Sequence, residues 1–314
     1  MKLRSLANSA ALLLTLLPCG CMRTPAGTVS EEFSFGGRSR SYLIHVPEGI
    51  DAAETVPLVL VLHGFGENAA AAVRTTGFTS LADREGFIVA FPNAVRRTWQ
   101  SYDSADAALY LRGVDDVAFI AAVVDRIKQE YTIDPQRTYA AGFSNGGFMV
   151  QKIACERSDL FAGIAVVSAS LTEKVAEACT PSSPVSVVMI AGTDDPIIPY
   201  NGGSVQMGPR RSSVLLSMGA VAERWAGVDA CGNEPVATTL PDTDPNDGTR
   251  VSRLEYISCA GTSSVVLYSI AGGGHAWPGS PAPYPRWIVG KTSKDINGPE
   301  TVWEFFKAHP KPAS

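Results

Sequence analysis

The sequence predicts an α/β fold: a single domain with a mostly parallel central sheet flanked by helices, opened by an antiparallel N-terminal hairpin. Three observations carry that prediction. Continuous apolar runs, such as Val56–Leu62 (VPLVLVL) and residues 87–91 (FIVAF), suit strands covered on both faces. Between such runs, apolar residues recur at helical spacing, as in Val117, Ile120, Ala121, Val124 and Ile127. Strands alternating with helices give parallel pairing through crossovers. Third, residues 142–147 (GFSNGG) stand between a strand-like stretch and a helix-like one.

In chain order, Lys2 and Arg4 precede an apolar stretch over residues 10–17, which is too short to span a bilayer and reads as an export signal. Cys21 follows a glycine in the manner of a lipoprotein cleavage site, although Pro18 stands where that pattern prefers leucine. Residues 1–21 are therefore expected to be a signal, with Cys21 the candidate lipid anchor; simple secretion after ordinary cleavage is the alternative. The mature chain is expected to hold no transmembrane helix and to be secreted, periplasmic or a cell-envelope lipoprotein. Residues 22–30 read as a tether. A hairpin follows, whose second arm alternates with Tyr42, Ile44 and Val46 on one face. Residues 69–85 are helical in composition, and residues 94–113 are irregular. A helix begins near Val114, where Asp115 and Asp116 suit the first turn. Strands are expected at residues 161–168, 185–190, 251–257 and 265–270, and helices at 213–227 and 299–307.

The chain has 314 residues, 45% hydrophobic and 18% charged, with a net charge of −5. No basic cluster suggests nucleic acid. Six cysteines are present. With Cys19 and Cys21 assigned to the signal, Cys155, Cys179, Cys231 and Cys259 remain: an even number, which in an exported chain reads as two disulfides with three pairings open. No C-x-x-C or H-x-x-x-H spacing occurs, so no metal site is expected.

Strand, sharp turn and helix with a serine at the tip form the context of a nucleophile elbow, in which Gly142 and Gly146 remove Cβ atoms that would collide. That makes Ser144 the candidate nucleophile. A serine needs a base. Of the four histidines, His275 follows a strand among three glycines and comes last in the order serine, acid, histidine. The acid is expected in the loop after residues 185–190, which offers Asp194 and Asp195. Asp195 fits a G-x-x-D-x-x-x-P spacing with Gly192 and Pro199, and Asp194 would then cap the turn. Asp195 would hold the His275 tautomer and stabilise its imidazolium. The amides of Asn145 and Phe65 are the candidate oxyanion donors, with His63 holding the Phe65 turn by hydrogen bonding.

The stretches HGFG, VDDVAFIAAVVDRI, YTIDPQRTYAAGFSNGG, DLFAGIAVVS, GTDDPIIPY and GGGHAWPG resemble those of exported α/β-hydrolases of the feruloyl esterase and polyhydroxybutyrate depolymerase group, over most of the chain from about residue 40. The resemblance implies one α/β-hydrolase catalytic domain over residues 31–310, the triad Ser144, Asp195 and His275, and the pairs Cys155 with Cys179 and Cys231 with Cys259. At Ala191 the chain departs from relatives, which often have histidine there.

The expected activity is hydrolysis of a small or oligomeric ester through an acyl-enzyme, without a cofactor. Amide or peptide cleavage by the same triad and a non-catalytic binding protein on the same scaffold are the competing readings. The motifs extend to His275 and leave only a short tail and a helix, so a soluble ester is expected over a crystalline polymer. Trp277, Tyr200, Trp99 and Tyr102 are candidates to meet an aromatic acyl group or a sugar ring. The alternatives are that Trp277 only packs the histidine loop and that the substrate is a hydroxybutyrate polyester.

Overall fold

The computed structural model describes residues 25–101, 111–206 and 212–312. The candidate signal with Cys21, and Tyr102 within the irregular stretch, lie outside the described residues. Strands β1 (Thr28–Phe35) and β2 (Arg38–His45) form the opening antiparallel hairpin. Pairing begins at Thr28, opposite His45, so residues 28–30 are strand and the expected tether is shorter at this end.

Five strands follow, with their helices between them: β3 (Val56–Leu62), β4 (Ile88–Pro92), β5 (Ile133–Phe143), β6 (Gly163–Val167) and β7 (Ser186–Gly192). A small hairpin, β8 (Gly203–Gln206) with β9 (Ser212–Leu215), stands apart from the main sheet. Then come β10 (Val236–Thr239), β11 (Arg250–Tyr256) and β12 (Val265–Ala271). The large sheet has ten strands in the order β1-β2-β4-β3-β5-β6-β7-β12-β11-β10. From β4 to β12 all pairings are parallel, and the pairings outside that block are antiparallel.

Helices cover both faces, which is why the central strands have no polar face. On β3, Leu58, Leu60 and Leu62 pack into one core, and Val59 and Val61 into the other. The first core is closed by α3 (Asp116–Glu130), α4 (Asn145–Glu156) and α6 (Met218–Val228), with α5 (Glu173–Ala178) beside them. The second is closed by α1 (Ala69–Thr76), α2 (Phe78–Glu85) and α8 (Gly298–Ala308). A short α7 (Arg286–Val289) lies in the loop after β12.

The single helix expected over residues 69–85 is two, because Gly77 takes φ 73° and ends α1 in the left-handed conformation. Asp115 caps α3 through Ala118 N–H at 2.9 Å. Asp116 does more than favour the dipole: it is buried, pairs with Arg40 of β2 at 2.7 Å and accepts Gln100 N–H at 2.8 Å. The disulfides are Cys155–Cys179, joining the end of α4 to that of α5, and Cys231–Cys259, joining the end of α6 to the loop after β11.

The chain leaves β3 toward β4 on one side and returns to β5 on the other. Sheets of this kind open a crevice beyond the carboxyl ends of the strands where the order reverses. The loops that follow β3, β5, β7 and β12 carry Phe65, Ser144, Asp195 and His275.

Candidate active site

Ser144 joins β5 to α4 with φ 52° and ψ −117°. A non-glycine residue held there stores about 1–3 kcal/mol of strain, which persists only where the surroundings enforce it. They do so by crowding. A Cβ on Gly142 would collide with the carbonyl of Gly146, and one on Gly146 with the carbonyl of Leu62 in β3. Ser144 N–H donates to Val167 O of the neighbouring β6 at 2.9 Å. A serine before a helix normally caps it, but this backbone turns the side chain away and no such bond forms. The hydroxyl is thereby left uncommitted, at the positive end of α4.

Asp195 and His275 meet across two strand ends. His275 Nδ1 lies 2.7 Å from Asp195 Oδ2, with the two side chains only 5% and 3% exposed. The other carboxylate oxygen accepts the amides of Ile197 and Ile198 at 2.7 and 2.8 Å. An acceptor fixed on both oxygens makes Nδ1 the donor, which leaves Nε2 as the unprotonated nitrogen of the neutral ring. The histidine loop is held by backbone: Gly274 N–H donates to Lys291 O at 2.8 Å and His275 N–H to Val289 O at 2.6 Å. Chains approach so closely here that a Cβ on Gly274 would collide with Val289 O. The His275 ring centroid lies 5.0 Å from that of Phe143, the residue before Ser144, so base and elbow share one crevice. Asp194 is exposed; its Oδ1 accepts Thr193 Oγ1–H at 2.9 Å and does not reach the histidine.

The turn after β3 is braced from three sides. His63 is buried, which lowers its pKa to about 4 and keeps it neutral. Its Nδ1–H donates to Gly64 O at 2.8 Å, and its Nε2 accepts Ala94 N–H at 3.1 Å. Glu67 Oε2 accepts Gly64 N–H at 2.6 Å, and its Oε1 accepts the Tyr284 hydroxyl. Burial raises the Glu67 carboxyl above its ordinary value. Gly66 N–H donates to Arg97 O at 2.8 Å. Among the described residues the Phe65 amide meets no acceptor. Asn145 is buried, and its side-chain oxygen accepts Trp99 N–H at 2.7 Å, which pins α4 to the segment after β4.

Two of the aromatic residues expected at the mouth, Trp277 and Trp99, are buried. Trp277 is 3% exposed and packs edge-on against Phe78 at 5.9 Å, inside the second core. It supports the histidine loop and offers no face to a substrate. Trp99 is 1% exposed; its Nε1–H donates to His63 O at 2.9 Å, so it braces the turn after β3. Tyr200 is half-buried, with its hydroxyl bonded to Ser269 of β12 at 2.5 Å. Glu67 and Tyr284 escaped the sequence reading. The only hint was a glutamate three residues after Gly64, the spacing at which a side chain can close a turn.

The Aspergillus awamori acetyl xylan esterase shares this fold: it superposes with a TM-score of 0.59 over 89% of this chain and 99% of that one, at 16% identity. In sequence, the chain is 33% identical to "Putative esterase NocK" of Nocardia uniformis subsp. tsuyamanensis over 290 residues, 89% of this chain and 83% of that protein. It is 27% identical to feruloyl esterase B of Piromyces equi over 243 residues, 76% of this chain and 42% of that protein. Residues 40–208 match the family model described as Esterase PHB depolymerase. With that match spanning more than half of its length, the chain belongs to the Esterase PHB depolymerase family and is an esterase.

Proposed function

We propose that the chain hydrolyses carboxylic esters through an acyl-enzyme on Ser144. His275 Nε2 takes the Ser144 proton as Oγ attacks the ester carbonyl, then returns it to the leaving alcohol. Water, activated by the same nitrogen, releases the acid. Asp195 keeps Nδ1 protonated and stabilises the imidazolium that forms. The amides of Phe65 and Asn145 receive the negative charge on the carbonyl oxygen. The observation that carries this reading is the 2.7 Å Asp195–His275 bond, whose histidine packs on Phe143, next in the chain to a strained serine whose hydroxyl does not cap its helix.

For substrate, we favour a soluble aryl or carbohydrate ester, as the name of the Piromyces relative suggests; the family description keeps hydroxybutyrate oligomers as the second reading. The test is kcat/KM for methyl ferulate, acetylated xylan and hydroxybutyrate oligomers with purified protein. A preference for the oligomers overturns the first reading in favour of the second. We also propose export, supported by the two disulfides, with Cys21 as the lipid anchor. Mass spectrometry of the native chain should find an acylated N-terminal Cys21; an unmodified start elsewhere would mean ordinary secretion.

A further inference from the structure

Seven large apolar side chains stand exposed among the described residues, and three of them sit on the segments that build the candidate site. Phe65, 73% exposed, lies on the turn after β3; Ile197 follows Asp195; Trp287, 83% exposed, lies on α7. These segments are tied to one another. Tyr284, three residues before Trp287, bonds to Glu67, two residues after Phe65. Val289, two residues after Trp287, accepts the His275 amide at 2.6 Å. A Cβ on Gly290 would stand 3.7 Å from Asp194 O, so the end of α7 also abuts the acid loop. The helix thus seats Val289 in the protein behind the histidine and raises Trp287 into solvent. Scattered exposed apolar residues need no explanation, but a cluster on the rim of a site marks a contact surface.

We propose that Phe65 and Trp287 form an apolar rim that takes the aromatic ring of the ester's acyl group, with Trp287 the main determinant of selectivity. The inference rests on the ester-hydrolase reading above. Phe65 serves twice: its amide faces the carbonyl oxygen, and its ring meets the rest of the acyl group. Trp287 offers the larger flat surface, on a helix anchored by the buried Val289.

The test compares kcat/KM for methyl ferulate and methyl acetate, which share a leaving group, in wild type, Trp287→Ala, Trp287→Phe and Phe65→Ala. The ratio of the two should fall roughly three- to tenfold in Trp287→Ala and in Phe65→Ala, and recover in part in Trp287→Phe. Ile257→Ala, at an exposed apolar residue after β11, should leave the ratio unchanged. A ratio that stays constant in Trp287→Ala while Ser144-dependent hydrolysis of both esters continues overturns the rim and spares the esterase reading. A wild type that cleaves neither ester overturns both.

Discussion

Two neighbouring aspartates follow β7, and their hydrogen bonds separate them. Asp195 is fixed by His275 and two amides, whereas among the described residues the Asp194 side chain bonds only its neighbour's hydroxyl. Asp195→Asn should therefore lower kcat by roughly 10⁴-fold, because the amide presents the wrong partner to Nδ1. Asp194→Asn should change it by less than about tenfold. Equal and mild losses in steady-state kinetics would mean that Asp195 is not the acid. At this scale the sequence was informative where chemistry is written locally. The sharp turn at Ser144 and the strand-end loops that bring Asp195 to His275 were legible because glycines and turn residues flank them in the chain. Trp277 and Trp99 were ambiguous, since an aromatic near a motif looks the same in sequence whether it faces solvent or the core. Each packs against a residue distant in sequence, Trp277 against Phe78 of α2 and Trp99 against His63 of the turn after β3. The Glu67–Tyr284 bond joins residues 217 apart, and no local pattern announces it.

Among the elements, long apolar strands and α3 stood out in the sequence because burial on two faces, or on one helical stripe, leaves a strong pattern. The β8–β9 hairpin and β10 did not. They are short, and β10 is exposed along its whole length at the sheet edge, so neither burial nor period marks it. Gly77 split a stretch that looked continuous because both sides have helical composition. The pairing of the cysteines was implied by family resemblance, and the elements show its purpose. Cys231–Cys259 fastens the end of α6 to the loop after β11, across 28 residues of sequence separation. Replacing both cysteines with serine should cost about 2–4 kcal/mol in urea unfolding. A variant as stable as wild type would show that the hydrophobic contacts of α6 already fix that end.

For the molecule as a whole, the sheet divides two tasks between its poles. The carboxyl ends of the parallel strands carry the candidate site, and the opposite ends carry a buried acid outside the proposed chemistry. Asp229 has no exposed surface; one oxygen accepts Val185 N–H at 3.1 Å and the other makes no hydrogen bond among the described residues. Burial pushes its pKa up to about 7. A carboxyl raised on folding favours the protonated native state. Its contribution is therefore complete below about pH 4 and is lost as pH rises toward about 7, by on the order of 4 kcal/mol. The stability of wild type relative to Asp229→Asn, from urea unfolding, should fall between pH 4 and pH 8; a difference independent of pH would refute the raised pKa. The proposed chemistry lies at the other pole, where covalent labelling of the nucleophile tests it. The protein is treated with a fluorophosphonate and the modified peptide is mapped by mass spectrometry. A single adduct on Ser144, absent in Ser144→Ala along with at least roughly 10⁴-fold of the ester turnover, is the predicted result. An unlabelled protein that still hydrolyses esters, or an adduct on another serine, would contradict it.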